Sequence, residues 1–168
     1  MDTMRKIKVT KVVLNIGLGR NVEKLDNAML LAKRLTEHKP VKTLASRKAK
    51  TFKVGRNRAI GVKVTMRGPE ALVFLKKLFL AKENMLKKSS FDSEGNFNFG
   101  FNEYLEVPGI KYDPSIGILG FNVSVTLERA GFRIKRRKIQ KRKVPKTHRI
   151  FRDEAVDFVK EEFNIAIV

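Results

Sequence analysis

Residues 59–67 read AIGVKVTMR, a stretch in which apolar and polar side chains alternate from Ile60 onward. The apolar positions are Ile60, Val62, Val64 and Met66, and the positions that follow them are Gly61, Lys63, Thr65 and Arg67. Successive side chains of a β-strand point to opposite faces of the sheet, so this period of two predicts a strand with one apolar and one cationic face. The apolar face must pack against other elements, which leaves the cationic face for solvent or a ligand.

Other segments on both sides of this stretch also have the pattern of strands. They are residues 9–18, 41–45, 96–104 and 121–128, and the C-terminal sequence FNIAIV predicts an additional edge strand. In one of them Phe97, Phe99 and Phe101 fall on the same face. An aromatic face of this kind is more typical of a packed core than of a base-stacking platform.

Helical periodicity is found in three further segments. The first begins at Asn21 and ends before Lys39-Pro40, because proline cannot continue a helix. The second begins at Gly68-Pro69, with proline in the first turn, and the third spans Asp153–Phe163. This order of elements predicts one domain, residues 1–168, of the α+β class: a mainly antiparallel sheet with helices packed on one face. The other face and a long hairpin loop would be free to bind a ligand.

The formal net charge of +20 is concentrated in two parts of the chain. No acidic residue occurs between Glu37 and Glu70, and this interval includes an aperiodic, basic segment at 46–58 that predicts a hairpin loop. Residues 129–149 contain eleven basic and no acidic residues, a composition typical of an arm that is flexible or ordered by a partner. Such clustering predicts binding to nucleic acid, with an anionic membrane as the alternative.

The residues that most enzyme mechanisms use are scarce. The chain has no Cys, and neither His38 nor His148 has a second ligand at metal-binding spacing, so no metal or cofactor is expected. Val22 replaces the third small residue that a dinucleotide site would need after Gly17-Leu18-Gly19, which favours a simple strand-ending turn. The sequence therefore predicts a protein that is not an enzyme.

The sequence also lacks the features of a membrane or secreted protein. It has no apolar run of membrane-spanning length, and its first residues, MDTMRKIKV, lack the apolar region of a signal peptide. An intracellular protein with no membrane partner is expected.

Two single residues have alternative interpretations that the sequence leaves open. His38 either contacts RNA or acts as a cation at the end of the first helix. Phe52, in the polar loop, either stacks on a base or anchors the loop to the body of the protein.

Four blocks of sequence resemble, in order and spacing, the ribosomal protein L5 family. They are VVLNIGLGR at 12–20, HKPVKTLASRKAKTFKVGRNRAIGVKVTMRG at 38–68, SFDSEGNFNFG at 90–100 and KYDPSIGILGFNVSVTL at 111–127. The resemblance covers nearly the whole chain. The sequence KYDPSIGILG, and the basic block followed by HRI and an acidic helix, are similar to the archaeal and eukaryotic branch.

The resemblance implies a structural protein of the large ribosomal subunit, located in the cytoplasm in the ribosome. Such a protein binds 5S rRNA and helps anchor it in the central protuberance. The other implied partners are large-subunit rRNA, P-site tRNA, neighbouring ribosomal proteins of the central protuberance and a small-subunit bridge protein, and no cofactor is implied.

Matching positions assign candidate residues to these contacts. The residues implied for 5S rRNA are Asn15, Lys39, Thr43, Lys48, Thr51, Lys63 and Arg67. The residues implied for tRNA or rRNA in the 46–58 loop are Lys50, Phe52, Lys53, Arg56 and Arg58. The basic arm is expected to order only against rRNA, through Arg133, Lys135, Arg136, Arg137, Lys138, Lys141, Arg142 and Lys143.

Overall fold

A computed structural model describes residues 3–19 and 21–168 of the chain. The strands in this part are β1 (Ile7–Gly17), β2 (Val41–Leu44), β3 (Ala59–Met66), β4 (Met85–Leu86), β5 (Phe97–Phe101), β6 (Phe121–Arg129) and β7 (Ala166–Ile167). The α-helices are α1 (Leu25–Thr36), α2 (Pro69–Ala81) and α3 (Arg152–Phe163). The predicted α+β class is confirmed.

Five strands form one sheet in the order β2-β3-β1-β6-β5, and every neighbouring pair is antiparallel. The central strand, β1, pairs with β3 on one side and with β6 on the other. Its Val12 lies opposite Met66 and Val125, and its Asn15 lies opposite Lys63 and Asn122. Because opposed residues point to the same face, this register collects the apolar residues on one face and the polar residues on the other.

The apolar face of the sheet forms the core together with the helices. Val12, Leu14 and Ile16 are completely buried there, and Leu31 of α1 and Leu75 of α2 belong to the same apolar cluster. Burial of an aliphatic side chain of this size contributes about 1.5–3 kcal/mol. The alternation seen in the sequence is therefore the pattern that holds the helices on this face.

The phenylalanines of β5 lie in this core. The ring of Phe79 on α2 lies 6.3 Å from that of Phe97, 5.6 Å from that of Phe99 and 5.2 Å from that of Phe163 on α3, between ring centroids. Phe101 is also buried and stacks on Phe121 of β6. The prediction that Phe97, Phe99 and Phe101 are core residues is confirmed.

The C-terminal strand is present, but in a different place from the edge of the main sheet. β7 pairs in parallel with β4, and the N–H of Val168 donates to the carbonyl of Leu86 at 2.9 Å. β4 could not be predicted from the sequence, because a strand of two residues is too short to show a period.

Candidate nucleic-acid interface

The face of the sheet opposite α1 and α2 carries polar side chains. Its central row consists of Lys63, Asn15 and Asn122, which are opposite one another on β3, β1 and β6. We define the open face as this row with its neighbours Lys11, Val13, Thr65, Asn98, Ser124 and Thr126. All of these residues are exposed or half-buried. A surface of amides, hydroxyls and two lysines suits hydrogen bonding to ribose and phosphate groups.

Gly100 gives Asn122 room on this face. A β-carbon on Gly100 would lie 2.5 Å from Oδ1 of Asn122, so the amide occupies the space above the glycine. Gly61 has a similar position on β3, where a β-carbon would lie 2.5 Å from the carbonyl oxygen of Ile16 and 3.0 Å from Oγ1 of Thr43. Because neither glycine has a side chain, the side chains of Asn122 and Thr43 can lie across the strands at these positions.

The residues that the sequence assigns to 5S rRNA divide into two groups in the structure. Thr43 pairs with Gly61 on the same face as Asn15 and Lys63, and Arg67 follows β3 with the same alternation. Exposed Lys39 precedes β2, beyond Val41, which lies opposite Lys63. Lys48 and Thr51, in contrast, lie in the hairpin loop.

The segment between β2 and β3 is a hydrogen-bonded hairpin. The N–H of Ala45 donates to the carbonyl of Arg58 at 2.9 Å. Nearer the tip, the N–H groups of Ala49 and Val54 each donate to the carbonyl of the other residue, at 3.0 and 3.1 Å. A turn at the tip is closed by the N–H of Lys53, which donates to Lys50 at 2.9 Å. The predicted hairpin is confirmed, and Lys50, Lys53, Arg56 and Arg58 are exposed along it.

Phe52 lies at the tip of this hairpin, and 68% of its surface is exposed. A side chain that anchored the loop to the core would be largely buried. This exposure favours the stacking alternative over the anchoring one.

His38 has a structural role in this chain. One ring nitrogen, Nδ1, lies 2.7 Å from the carbonyl oxygen of Thr36, and Nε2 lies 3.1 Å from Oε2 of Glu70. Because both nitrogens face acceptors, the ring joins the end of α1 to the start of α2. Of the two alternatives, this geometry favours the role at the end of the first helix.

The basic arm, residues 129–149, follows a defined path along the body of the protein, whereas the sequence predicts an arm that orders only against rRNA. The guanidinium of Arg129 is nearly buried and donates to Glu154 and to the carbonyl of Arg149, both at 3.1 Å. Val144 is buried near the far end of the arm, and Ile150, the residue just after the arm, belongs to the core. Arg129, Val144 and Ile150 therefore hold the two ends of the arm against the body of the protein. The high density of positive charge in the sequence gives no indication of these contacts.

The eight cations predicted to bind rRNA are all exposed on this arm. Lys135 pairs with Glu94 at 3.0 Å, and Arg136 pairs with Glu128 at 2.8 Å. Among the described residues, the remaining six have no carboxylate within 4.0 Å. Most of the arm's charge is therefore available to a polyanion.

A cleft of about 870 Å³ lies between the arm and the end of the open face. Its lining includes Lys11 and Thr126 from the open face, Glu94 and Asn96 from the turn before β5, and Phe132, Arg142 and Val144 from the arm. This cleft could not be predicted from the sequence, because it depends on where the arm returns to the body of the protein.

Several open-face residues were also missed as candidate site residues. Asn98, Asn122, Ser124 and Thr126 alternate with the buried residues of β5 and β6. The period of two places them on the same face as Asn15 and Lys63 once the strand order is known. The period of two was visible in the sequence of β5 and β6. The sequence did not show that β6 pairs with β1, which is what brings these residues beside Asn15.

The loop before β6 is fastened to α1 by Asp113. The Asp113 carboxylate accepts hydrogen bonds from the Ser115 hydroxyl at 2.6 Å, the Ser115 N–H at 2.9 Å and the Arg34 guanidinium at 2.5 Å. These bonds, with that of the Ser115 hydroxyl the largest effect, lower the pKa of Asp113 from 3.8 to about 2. They hold the loop on the helical side of the molecule.

The described part of the chain lacks two kinds of feature. Residues 3–19 and 21–168 include no helix with the length and apolar character that crossing a membrane requires. In the same residues, His, Asp and Glu side chains form no group of three suited to hold a metal ion. Asp92, near Glu94 in sequence, instead accepts hydrogen bonds from the N–H groups of Glu94 and Asn96 within a turn.

Comparison with protein families gives two matches that together span most of the chain. A model of ribosomal protein L5 matches residues 2–54, and a model of the C-terminus of the same family matches residues 59–164. The boundary between them falls in the hairpin, so β1 and β2 come from the first part, and β3, β5 and β6 from the second.

Similar proteins from archaea have the name large ribosomal subunit protein uL5. That of Sulfurisphaera tokodaii is 46% identical over 100% of this chain and 96% of its own length. That of Nanoarchaeum equitans is 46% identical over 98% of both chains, and that of Thermoplasma volcanium is 41% identical over 100% of this chain and 99% of its own. The similarity therefore extends through the open face, the hairpin and the basic arm.

Proposed function

Because the chain belongs to the ribosomal protein L5 family, we propose that it is a structural, non-enzymatic protein of the large ribosomal subunit that binds 5S rRNA through its open face. In the cytoplasm, within the ribosome, it helps to anchor 5S rRNA in the central protuberance. The 46–58 hairpin contacts P-site tRNA, and the basic arm contacts large-subunit rRNA. Its neighbours are other ribosomal proteins of the central protuberance and a bridge protein of the small subunit.

The observation that carries this proposal is the row formed by Lys63, Asn15 and Asn122 on an uncovered sheet. One lysine and two amides in a line supply one charged group and several neutral hydrogen-bonding groups. Folded RNA is recognised largely through phosphates, 2′-hydroxyls and shape, and these groups match that mode. Arg67 and Lys39 add positive charge at the edge of the same surface.

The hairpin is suited to a second RNA contact. Its exposed cations, Lys50, Lys53, Arg56 and Arg58, lie along the same hairpin as the exposed ring of Phe52. Cations that follow a phosphate backbone, combined with an aromatic ring for stacking, are typical of surfaces that bind single-stranded or looped RNA. This combination supports the assignment of the hairpin to tRNA.

The test is a competition experiment with the purified full chain. Binding to 5S rRNA is measured at increasing salt, with tRNA or duplex DNA of equal length as the competitor. We expect 5S rRNA to remain preferred at moderate salt, because hydrogen bonds and shape persist when electrostatic attraction is screened. Equal affinity for all three, lost together as salt rises, would refute specific recognition and favour a general polycation such as a DNA-compacting protein.

A further inference from the structure

The cleft beside the basic arm has a lining that differs from that of the open face. Its volume of about 870 Å³ is within the range of about 300–1,000 Å³ that is typical of small-molecule sites. Half-buried Phe132 is the main apolar side chain of the lining, because Leu127, Val144 and Ile150 are only 1%, 6% and 1% exposed. Lysines and arginines also line the cleft.

Contacts within the protein hold the arm in the position that forms this cleft. Lys135 pairs with Glu94, in the turn before β5, at 3.0 Å, and Arg136 pairs with Glu128, on β6, at 2.8 Å. These ion pairs attach the first half of the arm to two different parts of the sheet. The N–H of Arg142 donates to the carbonyl of Ile134 at 3.2 Å and joins the two halves. The cleft is therefore formed before any RNA binds.

The charge of the cleft is not balanced by these contacts. Among the described residues, Lys11, Lys141, Arg142 and Lys143 line the cleft without a carboxylate within 4.0 Å. A ligand that is only an anion would make no use of the apolar lining. A ligand that has only an aromatic ring would leave the cations without a partner. A nucleotide satisfies both, because its base is apolar on its faces and its phosphate is anionic.

We propose that this cleft binds one unstacked nucleotide, with the phosphate at the cations and the base against Phe132. The inference rests on the proposed RNA-binding function and adds a specific pocket to it. Lys11 and Thr126 belong both to the open face and to the cleft, so an RNA strand on the face reaches the cleft along a continuous surface. Extrusion of a base is least costly where that base is already unpaired.

The experiment uses the isotope-labelled full chain and follows its amide resonances during titration. The probes are AMP, inorganic phosphate and a short single-stranded oligoadenylate. We expect AMP and the oligomer to shift the amides of Thr126, Phe132 and Val144, and AMP to bind about fivefold or more tightly than phosphate because its base stacks. The oligomer distinguishes a nucleotide within RNA from free AMP, and it should bind more tightly than AMP.

Paired variants separate the two parts of the site. Phe132→Leu should reduce the preference for AMP over phosphate, whereas Phe151→Leu, at a ring 54% exposed elsewhere, should not. Lys141→Gln with Lys143→Gln should weaken AMP and phosphate alike, whereas Lys76→Gln with Lys77→Gln on α2 should leave both unchanged. If Phe132→Leu unfolds the protein, the lysine pair still provides the test.

Two results would overturn the nucleotide site. One is equal affinity for AMP and phosphate in the unmodified chain, and the other is AMP shifts that map outside the cleft. Binding to 5S rRNA is measured on the same samples. Retained 5S preference without AMP binding refutes the cleft alone, whereas loss of 5S preference over DNA refutes the proposed function.

Discussion

At Gly100 a β-carbon would lie 2.5 Å from Oδ1 of Asn122, the amide that completes the central row of the open face. The obstructing atom is at the end of a side chain that can rotate, so a larger residue would displace the amide and leave the strand intact. This residue thus links the backbone of an edge strand to the geometry of the proposed RNA contact.

Gly100→Ala should lower the affinity for 5S rRNA without lowering the melting temperature. Replacing glycine within a strand stabilises the backbone by about 0.5–1 kcal/mol, while the displaced amide loses its position on the RNA. Filter binding and thermal unfolding measure the two effects.

Asn122→Ala supplies the matched comparison in a double-mutant cycle. Both single variants should lose similar affinity, and the double variant should lose no more than either, since they act through one amide. Additive losses would show that Gly100 acts through something other than Asn122.

Asp113 illustrates a residue with a measurable pH effect. Its pKa is about 2 in the folded chain against an ordinary 3.8, so the folded state favours the charged form. This stabilisation is complete above the ordinary pKa and is lost as the pH falls towards 2.

Ser115→Ala should raise the pKa of Asp113 towards 3.8, because it removes the hydroxyl that makes the largest contribution. The variant should be less stable than the original chain at neutral pH, and the difference should narrow between about pH 4 and pH 2. Carboxyl NMR titration and acid unfolding measure these effects. An unchanged titration curve would exclude the hydroxyl as the cause.

At the level of elements, the period of two in the sequence was sufficient to identify the strands of the main sheet and their buried faces. In β3, for example, Val62, Val64 and Met66 are buried, as the alternation predicts. The order of strands, and therefore the neighbours of Asn15, depends on pairing between distant segments that no local pattern reveals. The path of the arm could not be predicted for a related reason, since it depends on two buried residues, Val144 within the arm and Ile150 just after it, in a highly charged segment.

The hairpin gives a prediction for Phe52. Phe52→Ala should change the melting temperature little, because most of the ring is exposed, and should weaken binding to tRNA by about 1–3 kcal/mol if a base stacks on it. Phe151→Ala is the control, since that ring is also exposed and belongs to a different element. A large loss of stability in the Phe52 variant would instead indicate an anchor.

The basic arm gives a prediction for Val144, which is 6% exposed. Val144→Ala removes about 1–2 kcal/mol of burial and should let trypsin cut the arm of the free protein about tenfold faster. Val41→Ala, at a residue 54% exposed, should leave the rate unchanged. Equally rapid cutting in the original chain and the variant would show that the arm is detached before RNA binds.

Over the whole molecule, positive and negative charges are concentrated in different elements of the fold. The hairpin and the arm carry the two basic blocks, whereas residues 150–168, which include α3, have five acidic against two basic residues. The two basic segments therefore carry much more positive charge than the segment that contains α3, and in the proposed function they face RNA together with the sheet. A distribution of this kind orients the approach to a polyanion as well as strengthening it.

The most direct test of the account is the salt dependence of 5S rRNA binding by two double variants. Lys63→Ala with Arg67→Ala removes two charges from the proposed RNA surface, and Lys76→Ala with Lys77→Ala removes two from α2. The first should make the plot of log affinity against log salt shallower by about two units, one for each lost phosphate contact, and the second should not change it. Identical slopes for the two variants would contradict the assignment of 5S rRNA to the open face.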